Sequence, residues 1–398
     1  MITVEQAVAI IQQTTRDFGI EEVPLDAAIG RVLRENLYAD RDFPPFHRVT
    51  MDGIAIQHAA FQSGRRVFPI EGIGAAGDVQ QELQSPEHCL EVMTGAMLPL
   101  GADTVIRYED LEIADGQARV MLDAIGWGQN VHKKGEDRPQ GSLVVRAGIR
   151  LSPAEIGVAA TVGKAMLKVS RQPKTVIIST GDELVEVSET PLPHQIRRSN
   201  EHQVKATLAN YNLLADTRHL RDDLDEVLRG LKSMIAEYEV LILSGGVSEG
   251  KFDYLPRALD QLGVVKLFHK IKQRPGKPFW FGKAPNGSLV FALPGNPVSS
   301  FMCTQRYFLP WLEQSLGLPA VVYPNAVLSR AVTFKPDLTY FLQVKLEYDD
   351  QGRILAIPAE GHGSGDLANL ADADAFLQLP QGKEVFEQGE VFPLIKYR

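Results

Sequence analysis

One stretch constrains the fold of this chain more than any other: residues 240–256, which read VLILSGGVSEGKFDYLP. The run from Val240 to Leu243 is short, branched and apolar and ends at a glycine-rich turn, which predicts a buried parallel strand rather than a helix. Backbone amides of such a turn can approach an anion, because ligands of open α/β sheets bind at the carboxyl ends of the strands. Taken alone, the turn fits equally well an ordinary strand-to-helix connection in which Asp253 begins a helix.

Two further apolar runs end in polar turns of the same kind. Residues 175–178 lead into Ser-Thr-Gly-Asp-Glu at 179–183, and residues 289–293 lead into Pro-Gly-Asn-Pro-Val-Ser-Ser at 294–300. The other elements predicted in this part of the chain are helices at 200–211 and 222–237 and a strand at 279–281. Strands that alternate with helices predict a parallel sheet covered on both faces, so the polar turns should meet at one edge.

The predicted edge collects carboxylates and cations. The carboxylates are Asp182, Glu183 and Asp253, with Asp222 as a plausible addition, and the cations are Lys272, Arg274 and Lys277. Carboxylates without clustered His or Cys suit a hard cation such as Mg²⁺ bound together with a substrate phosphate. Glycine turns with Lys and Arg suit phosphates or an oxyanion such as molybdate. We therefore predict metal-assisted chemistry on a phosphate ester or anhydride. The chain lacks the P-loop motif, so an ATPase of that class is not expected.

Composition limits the remaining possibilities. With 398 residues, 44% of them hydrophobic, the chain is too long for one core, so two to four domains are expected. The net charge of -9 argues mildly against nucleic acid as the main partner. The two cysteines indicate neither a disulfide framework nor a Cys-based metal site. The N-terminus lacks the pattern of a signal peptide and no apolar run approaches the length of a membrane span, so a cytoplasmic location without membrane contact is expected.

The flanking regions give weaker signals. Helices are predicted at 3–18, capped by Thr3, and at 25–33. Residues 68–145 and 331–398 are β-rich with many turns, and the latter region predicts a small barrel or sandwich. A loop with a lone histidine, His362, is expected to be flexible, with the histidine in solvent rather than bound to a metal.

Two polar residues, one before the first of these β-rich regions and one within it, each allow two interpretations. Asp52 precedes Gly53, which is typical of a hairpin turn, but Asp52 can also stand on an exposed loop that presents its carboxylate. Thr94, within Met-Thr-Gly-Ala, can donate to a phosphate, although capping a turn is the commoner role of such a threonine.

The motifs, taken in order, resemble those of a known family. They are PPF and MDG within 44–53, MTGA and GAD within 93–103, GED at 135–137, STGDEL at 179–184, SN at 199–200, RDD at 221–223, SGGVS from 244, PGKPF from 275, LPGNPVSS at 293–300 and SG-x-L at 364–367. Over nearly all of its length the chain resembles the molybdopterin molybdenumtransferases, bacterial relatives of the E domain of gephyrin. The resemblance implies that molybdenum from molybdate is inserted into adenylylated molybdopterin with Mg²⁺ and that AMP is released.

The resemblance also implies an architecture. The expected fold is a multi-domain α/β and β protein with a central parallel α/β sheet domain for molybdopterin, an N-terminal helical and β region with an inserted β domain, and a small C-terminal β barrel. The expected bounds are 1–45 with 143–170 for the N-terminal domain, 46–142 for the inserted domain, 171–318 for the sheet domain and 319–398 for the barrel. A homodimer is implied, with each active site between two subunits, and a molybdopterin adenylyltransferase is the expected partner.

Roles for single residues follow from the matching motifs. Asp52 and Thr94 are expected to reach in from the partner subunit, and Asp182 and Asp253 to hold the metal. The remaining residues expected to act in catalysis are Glu183, Asp222 and Lys277. Those expected to bind substrate are Ser199, Asn200, Gly245, Gly246, Ser248, Lys272, Arg274, Pro294, Gly295, Asn296, Pro297 and Ser299.

The chain departs from the family pattern at a few positions, and two other functions compete. Arg198 stands where the family usually has an acid before Ser-Asn, so we expect it either to contact an anionic substrate or to point to solvent or pair with a nearby acid. The competing functions are a nucleotide pyrophosphatase of the competence-damage type, which shares the sheet domain, and a non-enzymatic scaffold like gephyrin. The N-terminal motifs and C-terminal β region argue against the first, and the retained carboxylates and lysines against the second.

Overall fold

A computed structural model describes residues 1–246, 254–359, 361 and 363–398. Ser248, Asp253 and His362, which the sequence singled out, lie outside these residues. The chain divides into two compact units. The first unit comprises Met1–Arg34, Gly148–Ser152 and Leu167–Arg398, and the second comprises Glu35–Ala147 and Pro153–Met166.

Helices and strands are numbered in chain order. Up to Thr161 they are α1 (Val4–Gln12), β1 (Ile20–Pro24), β2 (Leu37–Tyr38), β3 (Arg48–Val49), β4 (Gly53–Ile56), α2 (His58–Gln62), β5 (Val67–Gly74), β6 (Cys89–Val92), β7 (Thr104–Arg107), β8 (Leu111–Ala114), β9 (Gln117–Val120), β10 (Val131–His132), β11 (Leu143–Val145) and α3 (Pro153–Thr161). From there to Ser315 they are β12 (Met166–Ser170), β13 (Thr175–Thr180), β14 (Leu184–Val185), β15 (Ile196–Arg197), α4 (Ser199–Ala209), β16 (Ala215–Leu220), α5 (Leu224–Glu237), β17 (Val240–Ser244), α6 (Leu255–Gln261), β18 (Val265–His269), β19 (Gln273–Arg274), β20 (Trp280–Lys283), β21 (Leu289–Leu293), α7 (Pro297–Cys303) and α8 (Leu309–Ser315). The last elements are β22 (Asn325–Leu328), β23 (Val332–Thr333), β24 (Thr339–Tyr348), β25 (Ile354–Pro358), α9 (Asn369–Asp372), β26 (Ala375–Leu379), β27 (Val385–Phe386) and β28 (Val391–Lys396).

The first residues show one confirmed helix and one wrong prediction. Thr3 and Gln6 form the expected capping box on α1, which buries Val4, Ala7 and Ile11 but ends at Gln12, short of the predicted end. The helix predicted at 25–33 is only a 3-10 turn, Leu25–Ala27. The Leu33 N–H donates to the Ile149 carbonyl at 2.9 Å, so the chain is extended there and pairs with neighbouring backbone instead of coiling.

The second unit is built on an antiparallel-rich sheet in the order β7-β4-β6-β5-β9-β8. This sheet curves into a half-barrel. Its β4 strand is buried along its whole length, and small pairs β2–β11 and β3–β10 complete the unit. Gly53 at the start of β4 has no room for a side chain, since a Cβ there would lie 1.9 Å from the Ile106 carbonyl oxygen.

The central sheet of the first unit runs in the order β16-β13-β17-β21-β20-β18. β13, β17 and β21 are parallel, as predicted, and β16, which was not predicted, is parallel to β13. β20 is antiparallel to both of its neighbours. β20 and β21 are antiparallel because the connection between them, from Lys283 to Leu289, is short. A crossover between parallel strands needs a dozen or more residues. Alternate residues of β17 enter opposite cores: Ile242 packs with the α4 side of the sheet, and Leu241 and Leu243 pack with the α5 and α6 side.

The C-terminal part of the first unit closes into a barrel. Strands β24, β25, β22, β28 and β26 pair in that order, and β26 pairs back to β24. The closure buries Leu342, Val344 and Leu377 inside and leaves no open edge between these strands. β19 adds to β24 from the sheet domain, with Arg274 opposite Tyr340.

These sheets confirm the predicted fold class, a multi-domain α/β and β protein with a small barrel at its C-terminal end. The first compact unit contains the sheet domain, the barrel and the first residues together, so this division does not test the predicted domain bounds. The bounds stay predictions. In the described parts of the chain, no helix has the length and apolar character needed to span a membrane. Cys89 and Cys303 are buried free thiols, and burial raises the pKa of Cys89 to about 12.

Candidate functional site

A cavity of about 700 Å³ opens in the first unit at the carboxyl ends of β13, β17 and β21. The strand ends contribute Thr180, Gly181, Glu183, Asp222, Gly245, Gly246, Pro294, Gly295, Asn296, Val298 and Ser299. The β19 turn contributes Gln273, Arg274, Pro275, Gly276, Lys277 and Pro278, and the barrel contributes Leu338, Tyr340, Phe341, Gln343, Ala359, Gly361, Gly363 and Ser364. The predicted meeting of the polar strand ends at one edge is therefore observed.

The glycine turn after β17 forms a cradle at the floor of this cavity. Gly245 and Gly246 have φ of +100° and +67°, a backbone conformation that side chains rarely adopt. A Cβ on Gly246 would lie 2.7 Å from Leu255 Cδ1 and 2.9 Å from Thr180 Oγ1. Thr180 is 6% exposed, and its hydroxyl oxygen is buried without a hydrogen-bond partner. The cradle therefore has no room for a side chain at position 246, and it holds a buried hydroxyl without a protein partner beside its backbone.

Asn200 joins the strand ends that carry the cradle. Its Nδ2 donates to the Ser244 hydroxyl at 2.8 Å and to the Gly295 carbonyl at 2.7 Å. Asn200 Oδ1 is buried without a partner. The predicted residue Asn200 therefore fixes the spacing between β17 and β21 beside the cavity. Ser199 and Pro297, also predicted to bind substrate, begin α4 and α7 and are not among the residues that line it.

The predicted carboxylates lie at one side of the cavity. Glu183 and Asp222 line it, and the Asp222 N–H donates to Asp182 Oδ1 at 3.3 Å, so these residues are close together. Asp182 and Glu183 are exposed. Within the described residues, no group of three or more His, Cys, Asp or Glu side chains is arranged to hold a metal. The second predicted metal ligand, Asp253, is outside those residues.

The predicted cations divide into two groups. Arg274 and Lys277 line the same cavity as Glu183 and Asp222, whereas Lys272 does not. Lys272 uses its backbone instead: its N–H donates to the Ile2 carbonyl at 2.8 Å and its carbonyl accepts from the Thr339 N–H at 3.0 Å. Lys272 was predicted to bind substrate because it stands with Arg274 and Lys277 in one basic stretch, KIKQRPGKP, that matches the family motif.

Gln273 holds the turn that presents Arg274 and Lys277, and the sequence analysis missed it. It is fully buried, donates from Nε2 to the Gly276 carbonyl at 3.1 Å and accepts a hydrogen bond from the Tyr307 hydroxyl. Gly276 has φ of +89°, and a Cβ there would lie 2.7 Å from Cys303 Sγ and from Gln273 Nε2. The turn is therefore rigidly packed beneath its two exposed cations. The only feature of the sequence that could have indicated this role is the position of Gln273 between Lys272 and Arg274.

The barrel closes the other side of the cavity with residues that the sequence analysis also missed. Ser364 accepts a hydrogen bond from Asn296 Nδ2 at 2.7 Å, and its carbonyl accepts from the Val298 N–H at 3.2 Å. Tyr340 stacks on Phe334 with a centroid distance of 4.2 Å, and burial raises its pKa. The SG-x-L match was a signal for Ser364, but the strand pattern around Tyr340 reads as ordinary barrel core.

In the second unit, Asp52 and Thr94 form a polar pair. The Thr94 N–H and hydroxyl donate to Asp52 Oδ1 at 2.6 and 2.7 Å, and these bonds lower the pKa of the Asp52 carboxyl. The carboxylate remains exposed. The structure thus brings together the two residues that the resemblance expected to act in the same place.

Arg198 pairs with acids, which is one of the outcomes expected for it. Its guanidinium contacts Glu186, and its Nε lies 3.8 Å from Glu201 Oε1. Its side chain is only 11% exposed, so it does not point to solvent. It is also absent from the residues that line the cavity.

Comparison with known proteins places this architecture in one family. Residues 2–163 match the model of the MoeA N-terminal region (domain I and II), residues 176–314 match a probable molybdopterin binding domain, and residues 325–397 match the MoeA C-terminal region (domain IV). These matches follow one another along the chain in the order of its sheets.

Relatives match over the full length. A molybdopterin molybdenumtransferase from Synechocystis sp. is 42% identical over 99% of both chains, and one from Bacillus subtilis is 31% identical over 100% of this chain and 94% of its own. The crystal structure of a molybdopterin biosynthesis MoeA protein from Pyrococcus horikoshii superimposes with a TM-score of 0.82 at 30% identity, covering 100% of this chain and 99% of that one. The chain therefore belongs to the molybdopterin molybdenumtransferase family.

Proposed function

We propose that this chain inserts molybdenum from molybdate into adenylylated molybdopterin and releases AMP. It is a transferase of molybdenum cofactor biosynthesis. The observation that supports this reaction best is the cavity itself. It joins a glycine cradle beside an unpartnered Thr180 hydroxyl, two cations on a packed turn, and the carboxylates Glu183 and Asp222.

Each part of the cavity suits one part of the reaction. The Gly245 N–H donates to the Leu293 carbonyl at 3.2 Å, so the cradle donors that suit a phosphate of the pterin substrate are the Gly246 N–H and the Thr180 hydroxyl. Arg274 and Lys277 suit molybdate, because charge-assisted hydrogen bonds to an oxyanion are the stronger class. The bond that breaks is the phosphoanhydride between AMP and the pterin phosphate. A water oxygen bonds to one phosphorus of the cleaved anhydride, which gives AMP and the pterin monophosphate. In the insertion itself the two thiols of the pterin each form a bond to molybdenum, one molybdate oxygen leaves as water with the two thiol protons, and molybdenum stays Mo(VI).

Magnesium is part of the proposal. The described donors fit it, since Glu183 and Asp222 line the cavity, Asp182 lies beside Asp222, and hard cations prefer oxygen ligands. We propose that Asp182 and Asp253 hold the ion, with Asp222 and Glu183 close to it. When bound, Mg²⁺ would neutralise charge that develops on the leaving phosphate. The protein residues bind and orient the anhydride.

A homodimer is the second part of the proposal. We infer that Asp52 and Thr94 of one subunit complete the site of the other. Support comes from their arrangement: Thr94 holds the Asp52 carboxylate in one orientation while leaving it exposed. A molybdopterin adenylyltransferase would supply the adenylylated substrate. A cytoplasmic location and the absence of a nucleic-acid partner stay predictions from composition.

The competing functions are not favoured. A nucleotide pyrophosphatase of the competence-damage type shares only the sheet domain, whereas the family matches extend from residue 2 to residue 397. A scaffold has no need of a cavity that combines a glycine cradle, cations and carboxylates.

A bacterial strain that lacks its own transferase tests the reaction in cells. Expression of the chain should restore molybdoenzyme activity, and Asp253→Asn should not restore it, because the amide is a poor ligand for a hard cation. Asp260→Asn makes the same change on the exposed side of α6 and is the matched control. Restoration by Asp253→Asn equal to that by the control would contradict the assigned metal role.

Subunit mixing tests the shared site. Asp52→Ala and Asp253→Ala chains should each be inactive, but a mixture should recover about a quarter of wild-type activity, since half of randomly formed dimers are mixed and each has one intact site. A mixture that exchanges subunits and stays inactive, or a chain that sediments as a monomer at micromolar concentration, would refute the proposed dimer site.

A further inference from the structure

Arg198 lies between two carboxylates that belong to different parts of the sheet domain. One is Glu186, which follows β14 and has a side chain 55% exposed, and the other is Glu201 in the first turn of α4, with a side chain 5% exposed. A buried carboxylate is costly unless it is paired and hydrogen-bonded. Arg198 supplies the charge partner, and it is itself largely buried by the contact.

Glu201 is also tied to the end of β13. The Ser179 hydroxyl donates to Glu201 Oε2 at 3.0 Å. The contacts therefore form a closed ring: Ser179 binds Glu201, Glu201 pairs with Arg198, and Arg198 pairs with Glu186. The chain between Ser179 and Glu186 is thereby fixed at both ends.

The residues enclosed by this ring are those that build one side of the cavity. Thr180 supplies the unpartnered hydroxyl, Gly181 and Glu183 line the cavity, and Asp182 lies beside Asp222. The backbone reinforces the ring at the same place. The Ile196 N–H donates to the Glu183 carbonyl at 2.8 Å, and the Arg198 N–H donates to the Val185 carbonyl at 3.0 Å.

We propose that Arg198 is a positioning residue: it clamps residues 180–186 so that the Thr180 hydroxyl and the Asp182 and Glu183 carboxylates keep their places in the cavity. The proposal rests on the proposed function for its effect on catalysis, but the clamp itself can be measured without it. Arg198 acts through Glu186 and Glu201 and makes no contact with substrate.

Loss of the guanidinium should loosen this segment through charge. Without the guanidinium, the buried Glu201 carboxylate loses its arginine partner, and the positive charge between Glu201 and Glu186 is gone. The mutual repulsion of the two carboxylates then favours conformations in which the Glu186 end moves away. Lysine at position 198 can pair with one carboxylate but lacks the planar fork that serves two, so it should restore the clamp only in part.

The test compares four variants of the full-length protein with wild type. They are Arg198→Gln, Arg198→Lys, Glu186→Gln and the double variant Arg198→Gln with Glu186→Gln. Arg197→Gln is the matched control, because it removes the same charge one residue away, where the guanidinium donates to the Glu189 carbonyl. Hydrogen exchange at residues 180–186 and the kinetics of AMP release are measured for each.

Arg198→Gln should speed exchange at 180–186 and lower kcat about 10-fold to 100-fold, since small misplacements of catalytic groups have effects of that size. The KM for molybdate should stay within about twofold, because Arg274 and Lys277 lie on another segment. Arg198→Lys should fall between Arg198→Gln and wild type. Glu186→Gln, whose changed side chain is more than half exposed, should show the same pattern more weakly, and the double variant should lose less than the sum of the single effects.

Unchanged exchange at 180–186 in Arg198→Gln would overturn the proposal. A raised KM for molybdate with kcat unchanged, and a loss that shrinks as salt rises, would also overturn it in favour of a direct contact with the anion. If wild type itself releases no AMP, the proposed function fails. Faster hydrogen exchange at 180–186 in Arg198→Gln than in Arg197→Gln would still establish the clamp.

Discussion

Thr94 donates two hydrogen bonds, from its backbone N–H and its hydroxyl, to a single carboxylate oxygen of Asp52. Both bonds favour the charged carboxylate, which is why the pKa of Asp52 lies below its usual value. The other oxygen remains available to a ligand. Pairing of this kind orients an exposed carboxylate that would otherwise rotate freely, and it gives a physical reason why MDG and MTGA occur together.

The Asp52–Thr94 pair predicts a specific pH dependence. Because the pKa of Asp52 is depressed in the folded state, the pair stabilises the fold above the ordinary aspartate pKa of about 3.9, and this contribution is lost as pH falls through the folded-state pKa. Thr94→Ala should therefore lower the free energy of unfolding more at neutral pH than near pH 3. Thr94→Ser keeps the hydroxyl and is the control. Equal destabilisation by Thr94→Ala at both pH values would contradict the role of the hydroxyl.

Gly246→Ala should damage the cradle for steric as well as conformational reasons. Gly352 also has a positive φ, +75°, but a Cβ there meets nothing within 4 Å, so Gly352→Ala measures the conformational cost alone. That cost is about 1–2 kcal/mol for a left-handed residue. Gly246→Ala should destabilise by more and should abolish binding of molybdopterin, as measured by calorimetry. Equal stability and retained binding in the two variants would show that the cradle is not tightly packed.

Lys277 and Lys272 should differ in their effect on molybdate. Lys277→Met removes a cation that lines the cavity and should weaken molybdate binding about 10-fold or more at low salt, since hydrogen bonds to charged groups are worth about 1.5–3 kcal/mol. The loss should shrink as ionic strength rises. Lys272→Met should bind molybdate nearly as wild type does, because the structure assigns Lys272 to backbone pairing. A larger loss from Lys272→Met would reverse this assignment.

Asn200→Ala should separate the strand ends without touching the cations. It removes the donor to the Ser244 hydroxyl and the Gly295 carbonyl, and an unsatisfied buried group costs about 1–3 kcal/mol. The midpoint temperature of thermal unfolding should therefore fall, and the affinity for molybdopterin should fall with it. The affinity for molybdate should be retained. A fall in molybdate affinity alone would show that Asn200 acts on the oxyanion instead.

Much of the sheet domain was predictable from sequence. Buried runs such as 240–243 and 289–293 have no polar alternation, and each leads into a turn with glycine, Ser-Gly-Gly after the first and Pro-Gly after the second. That combination determines both the strand and the position of the site at its carboxyl end. The antiparallel direction of β20 was missed, although the short link to β21 was visible in the sequence.

Other parts of the site depend on distant pairing that local patterns do not record. Leu33 is extended because it pairs with Ile149, far away in sequence, so its helical pattern was misleading. Ser364 and Tyr340 reach the cavity because the barrel closes β24 onto β26 and adds β19. Lys272 and Lys277 look alike in sequence, and only the fold separates the lysine that lines the cavity from the one that pairs through its backbone.

Molybdenum insertion coupled to AMP release can be measured with purified components. The chain is mixed with adenylylated molybdopterin and Mg²⁺, with and without molybdate, and AMP and pterin-bound molybdenum are quantified together. We expect molybdate to stimulate AMP release and one molybdenum to be bound for each AMP formed. A pyrophosphatase would release AMP at the same rate with and without molybdate, and no molybdenum would be bound to the pterin when molybdate is present. That result would contradict the proposed reaction.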